Sequence, residues 1–184
     1  MARTPSNMLA LGTKAPDFQL PDTVSDEILA LNNVTGEKGT VVMFICNHCP
    51  FVIHVNPEIT KVAEAYMQQG IGFVAISSND VENYPQDGPE LMKTKAKEEG
   101  YPFPYLYDAT QDVAKAYDAA CTPDFYLFDE KQKLVYRGQL DDSRPGNGMP
   151  LTGKDLRDAL TALLDGQSIN TLQKPSIGCN IKWK

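Results

Sequence analysis

The order of apolar and polar residues along the chain is typical of an α/β domain. Residues 40–46 and 71–77 are continuous apolar runs rich in β-branched side chains, which predicts central strands covered on both faces. Residues 49–69, between them, carry apolar side chains at the helical spacing of three and four positions. Asn56-Pro57 interrupts this helix, either as a kink or as a second N-cap. The order of strand, helix and strand favours parallel pairing of the two strands.

The second half of the chain is expected to complete the sheet and to cover it. Polar helices are predicted at 90–99 and 111–117, with a proline-rich extended stretch between them. Residues 125–128 and 134–137 are two strands joined by a polar five-residue turn, which is typical of an antiparallel hairpin. A last helix begins at Thr152. The predicted fold class is α/β, a central mixed sheet flanked by helices.

The length and charge of the chain fit one soluble domain. The 184 residues are expected to form a single unit, 1–184, with an N-terminal extension at 1–39 and an extended C-terminal tail at 167–184. Seventeen basic against 24 acidic residues give a net charge of −7, which disfavours binding to nucleic acid or to anionic membranes. No secretory signal or membrane span is visible, so the expected location is the cytoplasm.

Residues 46–50, Cys-Asn-His-Cys-Pro, carry the strongest chemical signal in the sequence. Cys46 ends the first strand and Cys49 lies where the next helix begins, since proline is tolerated in a first helical turn. The positive end of the helix dipole lowers the pKa of a thiol there, and thiolates are what attack disulfides. Asn47 and His48 lie between the sulfurs and are the candidates for tuning the thiolates, because protonated His48 adds positive charge.

Two further cysteines, Cys121 and Cys179, bear on how this pair is used. A cysteine pair at this spacing is also half of a zinc site, but Cys121 and Cys179 are far apart in sequence and do not supply the second close pair. We therefore expect no metal. Both cysteines are candidates for relay or for resolving a disulfide, and the alternative is that they are buried, inert thiols.

Several stretches resemble the thioredoxin superfamily, and more narrowly its redoxin branch, the group of alkyl hydroperoxide reductases and thiol-specific antioxidants. The resemblance spans nearly the whole chain and includes a bacterial group labelled thiol-disulfide isomerase. It is carried by residues 12–21 (GTKAPDFQLP), 44–52 (FICNHCPFV), 120–129 (ACTPDFYLFD), 134–142 (LVYRGQLDD) and 176–183 (SIGCNIKW).

The resemblance implies a thioredoxin-like fold and a set of partners. It implies that Thr122-Pro123 forms a cis peptide bond against the two cysteines and offers backbone groups to a bound substrate strand. Protein or small-molecule thiols and disulfides are the implied partners, together with an external thiol reductant. No bound cofactor is required.

Three functions are compatible with these residues. The first is a thiol-disulfide oxidoreductase that cycles Cys46 and Cys49 between dithiol and disulfide, with Cys46 expected to attack because it is the more exposed thiol. The alternative is a thiol-dependent peroxidase in which Cys49 attacks a hydroperoxide, although Cys46 stands where peroxiredoxins usually have threonine. The third is a redoxin-fold copper-binding assembly protein, which pairs two cysteines with a distant histidine.

Other polar residues are expected to be structural. His54, a lone histidine on a helix, is expected to be packed or solvated. Arg137 and Arg144 resemble the peroxide-site arginine of peroxiredoxins only loosely, and both are expected to form surface ion pairs.

Overall fold

A five-stranded mixed sheet forms the centre of the molecule, in a computed structural model that describes residues 3–184. Numbered in chain order, its strands lie in the spatial order β6 (Tyr105–Tyr107), β5 (Ile71–Ser77), β4 (Gly39–Phe44), β8 (Asp124–Asp129) and β9 (Leu134–Gly138). β4 pairs parallel with β5 and antiparallel with β8, and β8 pairs antiparallel with β9. The predicted parallel strands and the antiparallel hairpin are confirmed.

The central strand β4 is buried along its whole length, which accounts for its continuous apolar sequence. Successive side chains of a strand point to opposite faces of the sheet. Val41 and Met43 accordingly belong to the core on one face, whereas Val42 and Phe44 belong to the core on the other. Cys46 packs on the same face as Val41, so the apolar run continues past the strand into the loop that forms the candidate site.

Helices cover both faces of this sheet. They are α1 (Leu31–Val34), α2 (Pro50–Met67), α3 (Pro89–Glu99), α4 (Asp112–Ala116), α5 (Lys154–Leu164) and a 3₁₀ turn (Pro85–Asp87). Helices α2 to α5 confirm the four predicted helices, and α5 begins two residues later than expected. Pro57 lies within an unbroken α2, so the second N-cap is wrong. Among residues 3–184, no helix combines the length and the apolar composition of a membrane span.

The two ends of the chain meet in a second, antiparallel sheet. β10 (Ile177–Asn180) lies between β1 (Arg3–Pro5) and β7 (Cys121–Thr122). The segment 167–184, expected to be an extended tail, therefore contributes a paired strand. The N-terminal segment also adds a small hairpin of β2 (Gln19–Pro21) and β3 (Ile28–Ala30).

Gly178 lets β10 approach β7 closely. A Cβ atom at this position would lie 1.9 Å from the carbonyl oxygen of Thr122, a distance at which backbone must move. The next residue of β10 is Cys179, whose Cα is paired with that of Thr122. The absence of a side chain at Gly178 thus sets how near Cys179 comes to the centre of the molecule.

We expect Gly178→Ala to lower the free energy of unfolding by about 1–3 kcal/mol, because the added methyl group forces β10 away from β7. Chemical denaturation of the purified variant measures the loss. Asn180→Ala, at an exposed position of the same strand, is the matched control and is expected to change stability by less than about 0.5 kcal/mol. If Gly178→Ala and the wild type have the same free energy of unfolding, the close approach of β10 to β7 is not required for stability.

Candidate active site

The two cysteines of the motif lie between the end of β4 and the start of α2. Cys46 follows β4 by two residues, and Cys49 is the N-cap of α2, with Pro50 as the first helical residue. Cys46 is 2% exposed and Cys49 is fully buried, so neither thiol stands out from the surface. No disulfide is present among the four cysteines of the chain. The structure therefore represents the reduced site.

Four groups surround the sulfur of Cys49. Its Sγ lies 2.8 Å from the Sγ of Cys179 and 3.2 Å from the carbonyl oxygen of Thr122. The pKa of Cys49 is lowered to about 5, chiefly by a hydrogen bond from Cys46, with further bonds from Cys179 and from the backbone N–H of Val52. These donors outweigh burial, which alone would raise the pKa. Of the two thiols in the motif, Cys49 therefore has the lower pKa.

Cys46 keeps its proton in this arrangement. Its hydrogen bond to the sulfur of Cys49, followed by burial and the charge of Asp87, raises the pKa of Cys46 well above that of an ordinary thiol. Its Sγ also lies 3.4 Å from the hydroxyl oxygen of Thr122. The expectation that Cys46 attacks depends on its greater exposure, yet Cys46 is hardly more exposed than Cys49. Attack by Cys46 stays a prediction, and the negative charge of the pair lies on Cys49.

The peptide bond between Thr122 and Pro123 is cis, which confirms the expectation from the resemblance. Thr122 contacts both sulfurs of the motif, Cys46 through its hydroxyl group and Cys49 through its carbonyl oxygen. One edge of this segment is already paired with β10, where Cys179 lies opposite Thr122. Binding of a substrate strand by Thr122 and Pro123 stays a prediction, and it must use backbone groups that β10 leaves available.

A buried carboxylate, which sequence reasoning missed, orders the two residues between the cysteines. Asp87 accepts hydrogen bonds from the backbone N–H of Asn47 at 2.8 Å and from the Asn79 amide at 2.8 Å. Its Oδ2 lies 2.6 Å from Nδ1 of His48, whose ring stacks on Tyr84. Nδ1 of His48 therefore faces a carboxylate, and tuning of the thiolates by Asn47 and His48 stays a prediction. Asp87 lies in the polar stretch between the predicted strand 71–77 and the predicted helix 90–99, where no sequence pattern marks a buried side chain.

Cys121 and Arg137 belong to a separate buried cluster. The Sγ of Cys121 contacts the carbonyl oxygen of Pro123 at 3.7 Å, and burial, followed by the charge of Asp124, raises the pKa of Cys121 well above its usual value. Arg137 donates a 2.8 Å hydrogen bond to the hydroxyl of Tyr126 and pairs with Asp124 at 3.4 Å. The expected surface ion pair of Arg137 is wrong, because Asp124 and Tyr126 on the neighbouring strand supply partners inside the protein.

Arg144 and His54 also have local partners. Arg144 donates to the backbone carbonyl of Ser143 at 2.7 Å and forms no ion pair among the described residues, so the expected surface ion pair is wrong here too. The loop around it turns back on itself and supplies carbonyl oxygens instead. Nε2 of His54 lies 2.8 Å from Oγ of Ser143. His54 is therefore packed, as expected.

Three residues next to the motif offer ligand atoms for a metal. One atom each of Cys46, His48 and Asp87 lies within 4.8 Å of the others. A metal ion bound there would have to replace the contact between His48 and Asp87. Cys49, which the copper-binding alternative also requires, is not part of this group. The geometry thus does not place both cysteines of the motif in one group of ligand atoms.

We expect the thiolate absorbance of the reduced protein to appear with a midpoint at about pH 5, and to come from Cys49. Cys46→Ala should raise this midpoint by about 1–2 pH units, because a hydrogen bond to a charged group contributes about 1.5–3 kcal/mol. A pH titration of the ultraviolet absorbance measures both values. Cys121→Ala is the control and should leave the midpoint in place. A midpoint unchanged in Cys46→Ala would contradict the assignment.

Comparison with known proteins places this site in a family. Residues 11–137 match the AhpC/TSA family. The chain is 27% identical over 125 residues to the thiol-disulfide oxidoreductase ResA of Halalkalibacterium halodurans, an alignment that covers 67% of this chain and 65% of that relative. An uncharacterized conserved protein from Geobacillus kaustophilus, known from its crystal structure, is 60% identical with a TM-score of 0.98, over 100% of this chain and 97% of the other.

A more distant structure shows the breadth of the fold. The thioredoxin domain of a thiol-disulfide oxidoreductase from Bacteroides vulgatus superimposes with a TM-score of 0.63 at 20% identity, over 83% of this chain and 99% of the other. Together with the central mixed sheet, this confirms the thioredoxin-like fold expected from the resemblance. The matched region 11–137 contains Cys46, Cys49 and the cis peptide bond. The chain belongs to the AhpC/TSA family, a redoxin branch of the thioredoxin superfamily.

Proposed function

We propose that the protein is a thiol-disulfide oxidoreductase that cycles Cys46 and Cys49 between a dithiol and a disulfide. The observation that carries this proposal is the position of both thiols against Thr122 at the start of α2, where Cys46 Sγ lies 3.4 Å from its hydroxyl oxygen and Cys49 Sγ 3.2 Å from its carbonyl oxygen. The interaction between the two thiols lowers the pKa of Cys49 and raises that of Cys46. At neutral pH the pair holds one thiolate and one proton, the combination that thiol-disulfide exchange requires. The similarity to ResA, named as a thiol-disulfide oxidoreductase, supports this activity.

In the proposed cycle, a thiolate of the pair attacks one sulfur of a substrate disulfide. The substrate S–S bond breaks, a mixed disulfide forms, and the other substrate sulfur leaves as a thiolate that takes up a proton. The second cysteine of the pair then attacks the mixed disulfide, releases the reduced substrate and leaves a Cys46–Cys49 disulfide. The substrate has gained two electrons and the pair has lost them. An external thiol reductant returns the pair to the dithiol, and no bound cofactor takes part.

The first attack is assigned to Cys46 in this proposal. Because the proton of the reduced pair lies on Cys46, it must pass to Cys49 as the substrate approaches. The protonation of the two thiols is coupled, since each shifts the pKa of the other. Cys49 then resolves the mixed disulfide from its position at the N-cap of α2.

We expect Cys49→Ser to accumulate a mixed disulfide at Cys46 when it is incubated with a disulfide substrate, because the resolving thiol is gone. Cys46→Ser should reduce insulin disulfides no faster than the uncatalysed reaction. Mass mapping of the trapped species and an insulin-reduction assay measure the two effects, with Cys121→Ser as the matched control. If Cys46→Ser keeps reducing insulin, the order of attack is wrong. If both variants keep the wild-type rate, the dithiol cycle itself is wrong.

The thiolate at Cys49 favours a second candidate function, a thiol-dependent peroxidase. Here Cys49 attacks the terminal oxygen of a hydroperoxide, an alcohol or water leaves, and Cys49 becomes a sulfenic acid. A thiol then condenses with the sulfenic acid, releases water and forms a disulfide. The buried Arg137 supports this function less well, since its guanidinium group is bound to Asp124 and Tyr126.

Hydroperoxide consumption by the same variants separates the two functions. Under the leading proposal, we expect Cys46→Ser to consume hydroperoxide no faster than Cys49→Ser does. The peroxidase replaces the oxidoreductase if Cys46→Ser retains hydroperoxide consumption and forms a sulfenic acid at Cys49, which a sulfenic-acid probe followed by peptide mapping detects.

The partners and location in this proposal are those expected from the sequence. We propose protein or small-molecule disulfides as substrates, an external thiol as reductant, and the cytoplasm as the site of action. Cell fractionation checks the location. Metal analysis of the protein as isolated checks the copper-binding alternative, for which Cys46 and His48 are the ligands to substitute.

A further inference from the structure

Cys179 does not take part in a cycle of Cys46 and Cys49 alone, yet its sulfur contacts the sulfur of Cys49. The two Sγ atoms of Cys179 and Cys49 are 2.8 Å apart, and both residues are buried. A disulfide bond joins sulfurs about 2.0 Å apart. Only a small movement therefore separates this contact from a covalent bond.

The strand β10 holds Cys179 in this position from both sides. The Cα of Cys179 is paired with that of Thr122 in β7 on one side and with that of Arg3 in β1 on the other. Gly178 allows the close approach to the carbonyl oxygen of Thr122. Thr122 in turn contacts the sulfur of Cys49. The contact between Cys179 and Cys49 is thus built into the second sheet.

We propose that Cys179 is a third exchange thiol of the active site, which takes the place of Cys46 as the disulfide partner of Cys49. This inference rests on the proposed function, because the Cys46–Cys49 disulfide is its starting point. The thiolate of Cys179 attacks the sulfur of Cys49, the Cys46–Cys49 bond breaks, and a Cys49–Cys179 bond forms. Cys46 leaves as a thiolate and takes up the proton that Cys179 has lost. The number of disulfides is unchanged, so no further oxidant or reductant is needed.

The charge of Cys49 affects the pKa of Cys179, and with it the fraction of Cys179 that is a reactive thiolate. In the reduced protein, burial, followed by the hydrogen bond to Cys49 and the negative charge of Cys49, raises the pKa of Cys179 to about 12. Cys179 then remains protonated and acts as a donor to the thiolate. Once Cys49 is part of a disulfide, its charge is gone and only burial still raises the pKa of Cys179, while Lys182 lowers it. Oxidation of Cys49 therefore brings Cys179 closer to its reactive form.

The exchange has a consequence for the site. After the exchange, the disulfide joins Cys49 to Cys179 in the second sheet. Cys46 is then a free thiol although the protein still contains one disulfide. Cys46 lies next to the hydroxyl group of Thr122, beside the cis peptide bond. The free Cys46 is then able to attack a second substrate disulfide, whose S–S bond breaks to give a mixed disulfide at Cys46 and a released substrate thiolate. The mixed disulfide persists until a thiol reduces Cys49–Cys179. Cys121 is not suited to act as the third exchange thiol, since its sulfur contacts the carbonyl oxygen of Pro123.

Disulfide mapping of the full-length wild-type protein tests the inference. The reduced protein is oxidised with one equivalent of glutathione disulfide, quenched with acid, alkylated and digested for mass spectrometry. We expect Cys49–Cys179 to be present within about tenfold of Cys46–Cys49, a difference of at most about 1.4 kcal/mol between the two disulfides. Cys121→Ser should give the same ratio as the wild type. Gly178→Ala should lower the fraction of Cys49–Cys179, because it moves β10 away from the site.

The failure of this inference differs from the failure of the proposed function. If Cys46–Cys49 forms and Cys179 is alkylated in every oxidised molecule, the third exchange thiol is wrong and the dithiol cycle stands. If Cys179 is found joined to Cys121, the inference is also wrong. If Cys49 forms no disulfide with either partner and insulin is not reduced, both proposals are wrong.

Discussion

The hydrogen bonding of one buried sulfur is the constraint on which the active half of this molecule depends. A negative charge inside a protein is stable only where donors replace the water it has lost. For Cys49 these donors come from three parts of the chain: Cys46 in the loop after β4, the N–H of Val52 in α2, and Cys179 in β10. The central sheet, the helix start and the terminal sheet are therefore held in one geometry by the same sulfur. Removal of any donor raises the energy of the thiolate and with it the energy of the reduced site.

This constraint also sets the redox preference of the pair. The pKa of Cys49 in the folded protein, about 5, is lower than that of a free thiol, about 8.5. The reduced fold therefore carries a stabilisation that is present above about pH 8.5 and is lost as the pH falls through about 5. A disulfide has no thiolate and gains nothing from these donors, so they favour the dithiol and make the pair more oxidising. The sequence predicts a contribution to this effect from His48, whose Nδ1 lies 2.6 Å from Oδ2 of Asp87, and that contribution stays a prediction.

Long elements could be predicted from the sequence because their patterns extend over many residues. The apolar run of β4, the spacing in α2 and the proline that follows Cys49 each indicate a single structure. The strands β1, β7 and β10 have only two to four residues, too few for any period to be visible, and their pairing joins segments more than fifty residues apart. Asp87 was missed for a related reason. Its carboxylate can be buried because Asn47 and Asn79, in two other segments, donate hydrogen bonds to it. Arg137 was misplaced because its partners lie on the neighbouring strand.

The family match includes some residues of the candidate active site and excludes others. The match ends at residue 137, so it includes Cys46, Cys49 and the cis peptide bond but excludes β10 and Cys179. In this chain the two cysteines of the motif thus lie inside the matched region, whereas the third sulfur comes from a strand outside it. Because β10 occupies one edge of Thr122, the same strand that supplies a thiol also narrows the approach of a substrate. The reactivity of Cys49 and its selectivity for substrates therefore both depend on the strand β10.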